Sequence, residues 1–286
     1  MGVIVLTDGS GPCPVLGREL SRLGVSWEAW PLSVGCVDLC AAPPEALFVN
    51  AVTQGRYLLD HAAGLEYVRE VVGWLEAFGR RVVNGSNALR LGASRVRQYS
   101  AARAAGLLTP RTVVLMGGEL SLRGVSLSLR FPAVVRANRG PLNLGAAVVN
   151  SRDELEKLLM SGSFRPSPDR VTLVQEQGET DARRMGRVVF VGGEMVEEAG
   201  DGWLLAALDG TFAGRCARLA RQTGVEVLTL EIATNDGGAP LLVHIDTTLV
   251  PRACEALAKA AAQVIARIDA GEQLAAEPWG ETAMVG

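Results

Sequence analysis

The sequence is poor in lysine, and this shortage constrains how the protein handles negative charge. Lys157 and Lys259 are the only lysines among 28 basic residues, so nearly every positive side chain is an arginine. A task that would use a compact ammonium group therefore falls to a guanidinium, which binds phosphate and carboxylate as a planar fork. Histidine is as rare, with His61 and His244 alone.

Long apolar runs and blocks of like charge are also missing. No apolar stretch approaches the ~18 residues that span a membrane, and the net charge of -3 comes without a basic block. These absences argue against a membrane partner and against a nucleic-acid partner. The first residues lack a basic leader, so we expect a strand there and not a signal peptide.

Cysteine usage indicates a reducing compartment. Five scattered cysteines, an odd number, favour free thiols, and we therefore expect a cytoplasmic protein. Cys36 and Cys40 are four residues apart, but no second ligand pair lies near them in the sequence. Their spacing is therefore a weak indication of zinc.

The first ninety residues of this 286-residue chain alternate strand-like and helix-like segments. Strands are predicted for "GVIVLTD", "VSWEAWPL", "EALFVNAV" and "RRVVNGS". Helices are predicted for "PVLGRELSRLG", which ends at Gly24, and for "GLEYVREVVGWLEAFG", which ends at Gly79. Alternation of this kind predicts an α/β domain with a mostly parallel, doubly wound sheet.

The rest of the chain has a different pattern. A helix that Ser94 caps and Gly106 ends is followed by strands, a short helix over "RDELEKLLM", and two predicted hairpins. Their turns are expected at Gly192-Gly193 and at residues 235–238, and "ACEALAKAAAQVIARI" predicts a closing helix. The change of pattern predicts an N-terminal domain over 1–93, a central module over 94–163 and a C-terminal module over 164–286.

Several segments, taken in order, resemble the landmarks of the ATP-grasp superfamily. They are "VVNGSNALRLGASRVRQYSAARAAGLLTPRTVV", "FPAVVRANRGPLNLGAAVV", "VTLVQEQGE", "RVVFVGG", and the pair "LTLE" and "LVHID". The resemblance covers Val82 to Ile268 and is strongest to the branch of glutathione synthetases and ribosomal-protein glutamate ligases. It implies an α/β fold in which a doubly wound N-terminal domain precedes two α+β modules that sandwich a nucleotide.

The resemblance implies an ATP-dependent carboxylate–amine ligase that forms amide or peptide bonds through an acylphosphate. Its cofactors would be ATP and Mg²⁺, with Mn²⁺ as an alternative metal, and its partners small-molecule or peptide carboxylates and amines. A homodimer is compatible with this family. The alternative is a degenerate member that binds nucleotide or a partner without ligation, because the segment between Val196 and Gly214 is short and lacks the family's Arg and Asn.

The resemblance also implies which residues contact the nucleotide. Arg95 and Arg136 stand where the family has phosphate-contacting lysines, and Arg187 opens the following strand, within reach of phosphate or substrate. We therefore expect Arg136 and Arg187 in a catalytic role. The adenine-holding hinge and the ribose contact are expected to consist of Gln175, Glu176, Gln177 and Glu179.

A metal site is expected at the ends of the last two strands. His244 and Asp246 are two residues apart, so their side chains point to the same side of a strand, and Glu231 ends the strand predicted to pair with it. The family normally has a carboxylate, an apolar residue and Asn at the later pair. Asp246 supplies oxygen, as Mg²⁺ prefers, whereas His244 supplies nitrogen, which suits Mn²⁺ or Zn²⁺ better. Three roles stay open for His244: metal ligand, water-orienting group, or the end of a strand.

Overall fold

A computed structural model gives the positions of residues 2–8, 14–33, 35–52, 62–116, 122, 129–139, 146–161, 169–177, 181–196, 210–234, 238–249 and 255–272. The strands are β1 (Gly2–Thr7), β2 (Trp27–Pro31), β3 (Ala46–Asn50), β4 (Val82–Val83), β5 (Thr112–Met116), β6 (Ala133–Ala137), β7 (Ala147–Val149), β8 (Val171–Glu176), β9 (Asp181–Val191), β10 (Glu194–Val196), β11 (Val227–Thr234) and β12 (Pro240–Asp246). The helices are α1 (Pro14–Arg22), α2 (Ala62–Ala77), α3 (Ser86–Gly92), α4 (Arg95–Ala104), α5 (Arg152–Met160), α6 (Gly210–Thr223) and α7 (Glu255–Asp269).

The N-terminal sheet is parallel, with the strand order β2-β1-β3-β4, as the alternating pattern predicted. Side chains of β1 alternate between its two faces. Val3 and Val5 pack with α1 and α7, whereas Ile4 and Leu6 pack with α2. Helices therefore cover both faces, which confirms the doubly wound α/β prediction.

The central sheet is antiparallel, with the order β5-β8-β6-β7. One of its faces, which includes Ala133, Val135 and Val174, is buried in a core that also contains Leu155 of α5. Because successive side chains of a strand point to opposite faces, Val134, Arg136 and their neighbours lie on the other face.

The C-terminal sheet is antiparallel, with the order β10-β9-β11-β12, and it contains both predicted hairpins. Val188, Leu230 and Ile245 face a core formed with α3, α4 and α6. Val189, Val191 and Val227 face the opposite way, into a core shared with the N-terminal sheet and α7.

Asn84 joins the N-terminal sheet to the C-terminal sheet. It has a left-handed backbone with φ of 51°, which Asn tolerates better than most residues. Its Nδ2 donates to the carbonyls of Val227 at 2.7 Å and Thr247 at 2.8 Å, and its Oδ1 accepts from the Val227 N–H at 2.9 Å. This fully buried amide therefore satisfies three backbone groups where the two sheets meet.

Helix α4 lies along β12, the edge strand of the C-terminal sheet. The Ile245 N–H donates to Oε1 of Gln98 at 3.2 Å, and the Tyr99 hydroxyl donates to the Val243 carbonyl at 3.2 Å. The Leu242 N–H donates to the Leu108 carbonyl at 2.8 Å. The edge is thus covered, so its backbone groups are paired within the chain.

No helix in the described ranges is both long enough and apolar enough to cross a membrane. Cys36 and Cys40 are exposed free thiols, and Cys216 is a buried one. Burial raises the pKa of the Cys216 thiol to about 12, so Cys216 serves packing in the core.

Candidate functional site

The open face of the central sheet combines apolar side chains with one guanidinium. Val114 and Val148 are 47% and 53% exposed on this face, and Arg136 lies between β8 and β7 on the same side. Gln175, also on this face, donates to the Tyr99 hydroxyl at 3.2 Å, and Tyr99 in turn bonds β12. Gln175 and Tyr99 therefore link this face to α4 and β12, and we call the region between the face and these two elements the cleft.

Arg95 and Arg136 bring two positive charges together at one end of this cleft. Ser94 accepts a hydrogen bond from the Arg97 N–H, so α4 begins at Arg95, as predicted. Arg95 Nη1 donates to the Ala137 carbonyl at 2.7 Å, which holds it against the end of β6. Burial lowers the pKa of Arg95, and the charge of Arg136 lowers it further.

Arg136 contributes a buried donor to the same place. Its Nε atom is buried and lacks a hydrogen-bond partner within the described part of the chain. A buried N–H without a partner is costly, so an incoming acceptor would be stabilised here. Two adjacent guanidiniums repel one another, and an anion between them removes that repulsion. The pair thus forms a site suited to phosphate.

Asn138 fixes the junction between β6 and α4. Its Oδ1 accepts hydrogen bonds from the Val96 N–H at 3.0 Å and from the Ser94 hydroxyl at 3.2 Å. Its Nδ2 donates to Asp169 at 2.7 Å. This buried amide therefore determines where the positive end of the cleft lies relative to the central sheet.

The predicted adenine hinge is the end of β8, and its side chains point in different directions. Gln175 faces the cleft, whereas Glu176 lies on the α5 side and accepts from the Arg130 N–H at 2.9 Å and from Arg130 Nε at 3.0 Å. Arg111 is 3.4 Å from the same carboxylate. The buried Glu176 carboxylate therefore pairs with two arginines whose side chains are exposed.

The two remaining hinge residues are placed differently. The side chain of Gln177 is exposed, and its backbone N–H donates to the Pro132 carbonyl at 2.9 Å. Glu179, the predicted ribose contact, lies outside the described residues.

Glu231, His244 and Arg187 lie side by side across three strands of the C-terminal sheet. Glu231 pairs directly with His244 on β12 and with Arg187 on β9. Arg187 Nη2 is 3.1 Å from Glu231 Oε1, which makes an ion pair. Asp246 lies two residues beyond His244, and its Oδ1 accepts from the Thr248 N–H at 2.9 Å. The three predicted acidic and imidazole groups therefore do lie close together.

The pKa of His244 depends on its burial and on the charged side chains around it. Burial lowers the pKa of His244, which favours the neutral imidazole. Glu231 and Asp246 raise that pKa, and Arg95 and Arg187 lower it. Arg95, at the phosphate-suited end of the cleft, and the carboxylates Glu231 and Asp246 thus all act on the same imidazole.

No family model matches the sequence, and no curated protein is similar to it. Solved structures do match. A RimK-domain ATP-grasp protein from Sphaerobacter thermophilus superposes with a TM-score of 0.65 at 17% identity, over 93% of this chain and 100% of the other. The chain has the ATP-grasp fold.

Two further solved structures that match this chain were determined with a precursor bound. The macrocyclase MdnC from Microcystis aeruginosa, bound with its precursor peptide MdnA, has a TM-score of 0.65 at 14% identity, over 93% of this chain and 99% of the other. The ligase PsnB, complexed with a minimal precursor, Mg and ADP, has a TM-score of 0.57 at 14% identity, over 92% and 96%.

The ATP-grasp fold leads one to expect a metal held by Glu231, His244 and Asp246, and the side chains do not fit one as they stand. Within the ranges described above, no group of three or more His, Cys, Asp and Glu side chains could hold a metal ion. One oxygen of Glu231 is bonded to Arg187, and one of Asp246 to Thr248. Glu231 lies inside β11, which continues to Thr234, so it does not end its strand as predicted, whereas Asp246 is the last residue of β12. The hydrogen bonds given above for Glu231 and Asp246 are made to groups of the protein.

Three residues with roles at this ATP-grasp cleft went unrecognised in the sequence. Gln98, Tyr99 and Asn138 position His244, β12 and α4 through hydrogen bonds. The one signal in the sequence is a polar residue, Gln98, at a helix position that packing would bury, because a buried amide needs hydrogen-bond partners.

Proposed function

We propose that this ATP-grasp protein binds ATP in the cleft between the central and C-terminal sheets and uses it to join a carboxylate to an amine. The observation that carries this proposal is the position of Arg95, which donates to the Ala137 carbonyl at 2.7 Å, beside Arg136, whose buried Nε has no partner among the described residues. Apolar side chains on the same face, including Val114 and Val148, would cover the adenine ring, while the guanidiniums contact the phosphates.

The proposed reaction has two steps. A carboxylate oxygen attacks the γ-phosphorus of ATP, which forms an acylphosphate and releases ADP. The amine nitrogen then attacks the acyl carbon and an amide forms. Phosphate leaves with the electrons of the former acyl C–O bond, and the amine proton passes to the departing phosphate. Arg136 would stabilise charge on the transferred phosphoryl group, since a fixed guanidinium bonds several phosphate oxygens at once.

We propose a peptide or small-molecule carboxylate as the acceptor of the phosphoryl group. MdnC and PsnB, which share this fold, have each been solved with a precursor peptide.

A second candidate is nucleotide binding without ligation. The Arg187–Glu231 ion pair favours it, because a carboxylate bonded to a guanidinium is less able to assist phosphoryl transfer. Both candidate functions use the same nucleotide site, but only ligation consumes ATP.

The test is ADP formation from ATP in the presence of mixed carboxylates, amines and short peptides, followed by mass spectrometry of the products. Ligation predicts ADP release that needs both co-substrates and an adduct that has lost one water. Arg136→Ala should abolish that release, while the surface variant Arg22→Ala should leave it unchanged. ATP binding without any turnover across the panel would favour the second candidate.

A further inference from the structure

The ion pair between Arg187 and Glu231 occupies the place where a metal is expected. The two residues are directly opposite one another on β9 and β11, and their charged groups are 3.1 Å apart. The Glu231 side chain is only 17% exposed, and that of Arg187 is 44% exposed. The guanidinium thus neutralises the less exposed carboxylate and still reaches the cleft surface.

The other two expected ligands are also engaged with the protein. Asp246 accepts from the Thr248 N–H at 2.9 Å, and Nδ1 of His244 is 3.1 Å from Gln98 Oε1. As noted above, the described residues do not include a group that could hold a metal ion. Hydrogen bonds within the protein and the guanidinium of Arg187 thus hold Glu231, His244 and Asp246 in place.

Two guanidiniums act on this cluster, and a third acts on one of them. Arg95 and Arg187 both act on the charge of His244, and Arg136 acts on Arg95. Arg187 neutralises Glu231, so among the described residues Asp246 is the remaining carboxylate that acts on the charge of His244, while Arg95 and Arg136 add positive charge. The balance favours a polyanion.

We propose that the protein binds the triphosphate of ATP without a divalent cation, with Arg187 supplying positive charge that a metal would otherwise bring. This inference rests on the proposed nucleotide site. Guanidiniums bind phosphate bidentately and remain charged at every physiological pH. Glu231 holds Arg187 in position in the free protein, so little side-chain freedom is lost when phosphate binds.

The test is isothermal titration calorimetry of the whole chain with ATP, once with excess EDTA and once with excess Mg²⁺. The inference predicts dissociation constants that agree within about threefold, a difference below the tenfold that corresponds to one strong charged contact. Binding at least tenfold weaker in EDTA would overturn it and leave the proposed nucleotide site intact. Absence of binding under both conditions would overturn the proposed site itself.

Two variants with matched controls sharpen the test. In EDTA, Arg187→Gln should weaken ATP binding about tenfold or more, because a charged phosphate contact is lost. Glu231→Gln should bind ATP in EDTA as tightly as the wild type or more tightly, because a negative charge near the phosphates is removed. Arg22→Gln and Glu19→Gln alter a remote ion pair on α1, with atoms 2.7 Å apart, and should leave affinity unchanged.

Each outcome of these variants decides the inference. Equal affinity of wild type and Arg187→Gln in EDTA would overturn it, provided that circular dichroism shows both folded. If Glu231→Gln binds ATP more weakly than the wild type only when Mg²⁺ is present, Glu231 is a metal ligand. That result would also overturn the inference.

Discussion

Gln98 holds the imidazole of His244 in one tautomer. Nε2 of Gln98 donates to the carbonyls of Leu91 at 3.2 Å and Gly92 at 3.3 Å, so its Oε1 is the acceptor end of the amide. The Ile245 N–H donates to that Oε1, and Nδ1 of His244 lies 3.1 Å from it. Nδ1 of His244 therefore carries the proton, and Nε2 keeps its lone pair.

The first prediction is that His244 populates the Nδ1–H tautomer. Long-range ¹⁵N NMR correlations should show a protonated-type Nδ1 shift and an unprotonated-type Nε2 shift for this residue. The chain has only two histidines, so loss of one signal set in His244→Asn assigns the spectrum. In Gln98→Leu the preference should disappear, and unfolding free energy should fall by about 1–3 kcal/mol, because buried backbone groups lose their partner. An Nε2–H signature in the wild type would contradict the assignment.

The second prediction concerns the pH dependence of stability. Burial lowers the folded-state pKa of His244 below its unfolded value of about 6.5. The neutral ring is thus favoured by folding, and the stability it contributes is complete above pH ~6.5 and declines as the pH falls toward the folded pKa.

Urea unfolding of wild type and His244→Asn between pH 8 and pH 5 checks this effect. The free energy of unfolding of the wild type, relative to the variant, should decrease as the pH falls through this window. Carboxylate titrations common to both proteins cancel in the difference. A difference that is constant with pH would show that the His244 pKa is not lowered by folding.

The third prediction is that charge, more than geometry, makes Arg136 a phosphate contact. Arg136→Ala should weaken ATP binding about tenfold or more, and Arg136→Lys should lose less, because lysine keeps the charge but not the bidentate fork. Calorimetry measures the ATP affinities of both variants, with Arg22→Ala as the control. Identical affinities for Arg136→Ala and wild type would assign Arg136 to the protein surface alone.

The fourth prediction is that Asn84 stabilises the junction of the two sheets. Asn84→Ala removes three hydrogen bonds to Val227 and Thr247, and we expect a loss of about 3 kcal/mol or more in unfolding free energy. Asn84→Gly loses the same bonds but accepts φ of 51° more easily, so it should be less destabilised by about 1 kcal/mol. A loss below about 1 kcal/mol in both variants would contradict this role.

Periodicity was sufficient to predict most of the fold. The Ser94 cap and the helix ends at Gly79 and Gly106 are present, and both glycines have positive φ. Helix α3 was not predicted, since it has seven residues and no side-chain cap. It is stabilised by burial of Ala88 and Leu91 in the core of the C-terminal sheet, and such packing is not visible in a short local pattern.

The candidate site was less predictable than the fold. The alternation of β12 and its pairing with β11 were enough to bring His244 beside Glu231. The Arg187–Glu231 ion pair depends on the register between β9 and β11. These strands are far apart in the chain, so local sequence patterns do not determine their register. Gln98 and His244 are separated by 146 residues, so their contact is a product of the folded packing.

A crystal structure of the protein with a non-hydrolysable ATP analogue would show directly where the nucleotide binds. We expect the nucleotide between the central and C-terminal sheets, with phosphate oxygens within hydrogen-bond distance of both Arg95 and Arg136. Nucleotide bound elsewhere, or phosphates that contact neither guanidinium, would contradict it.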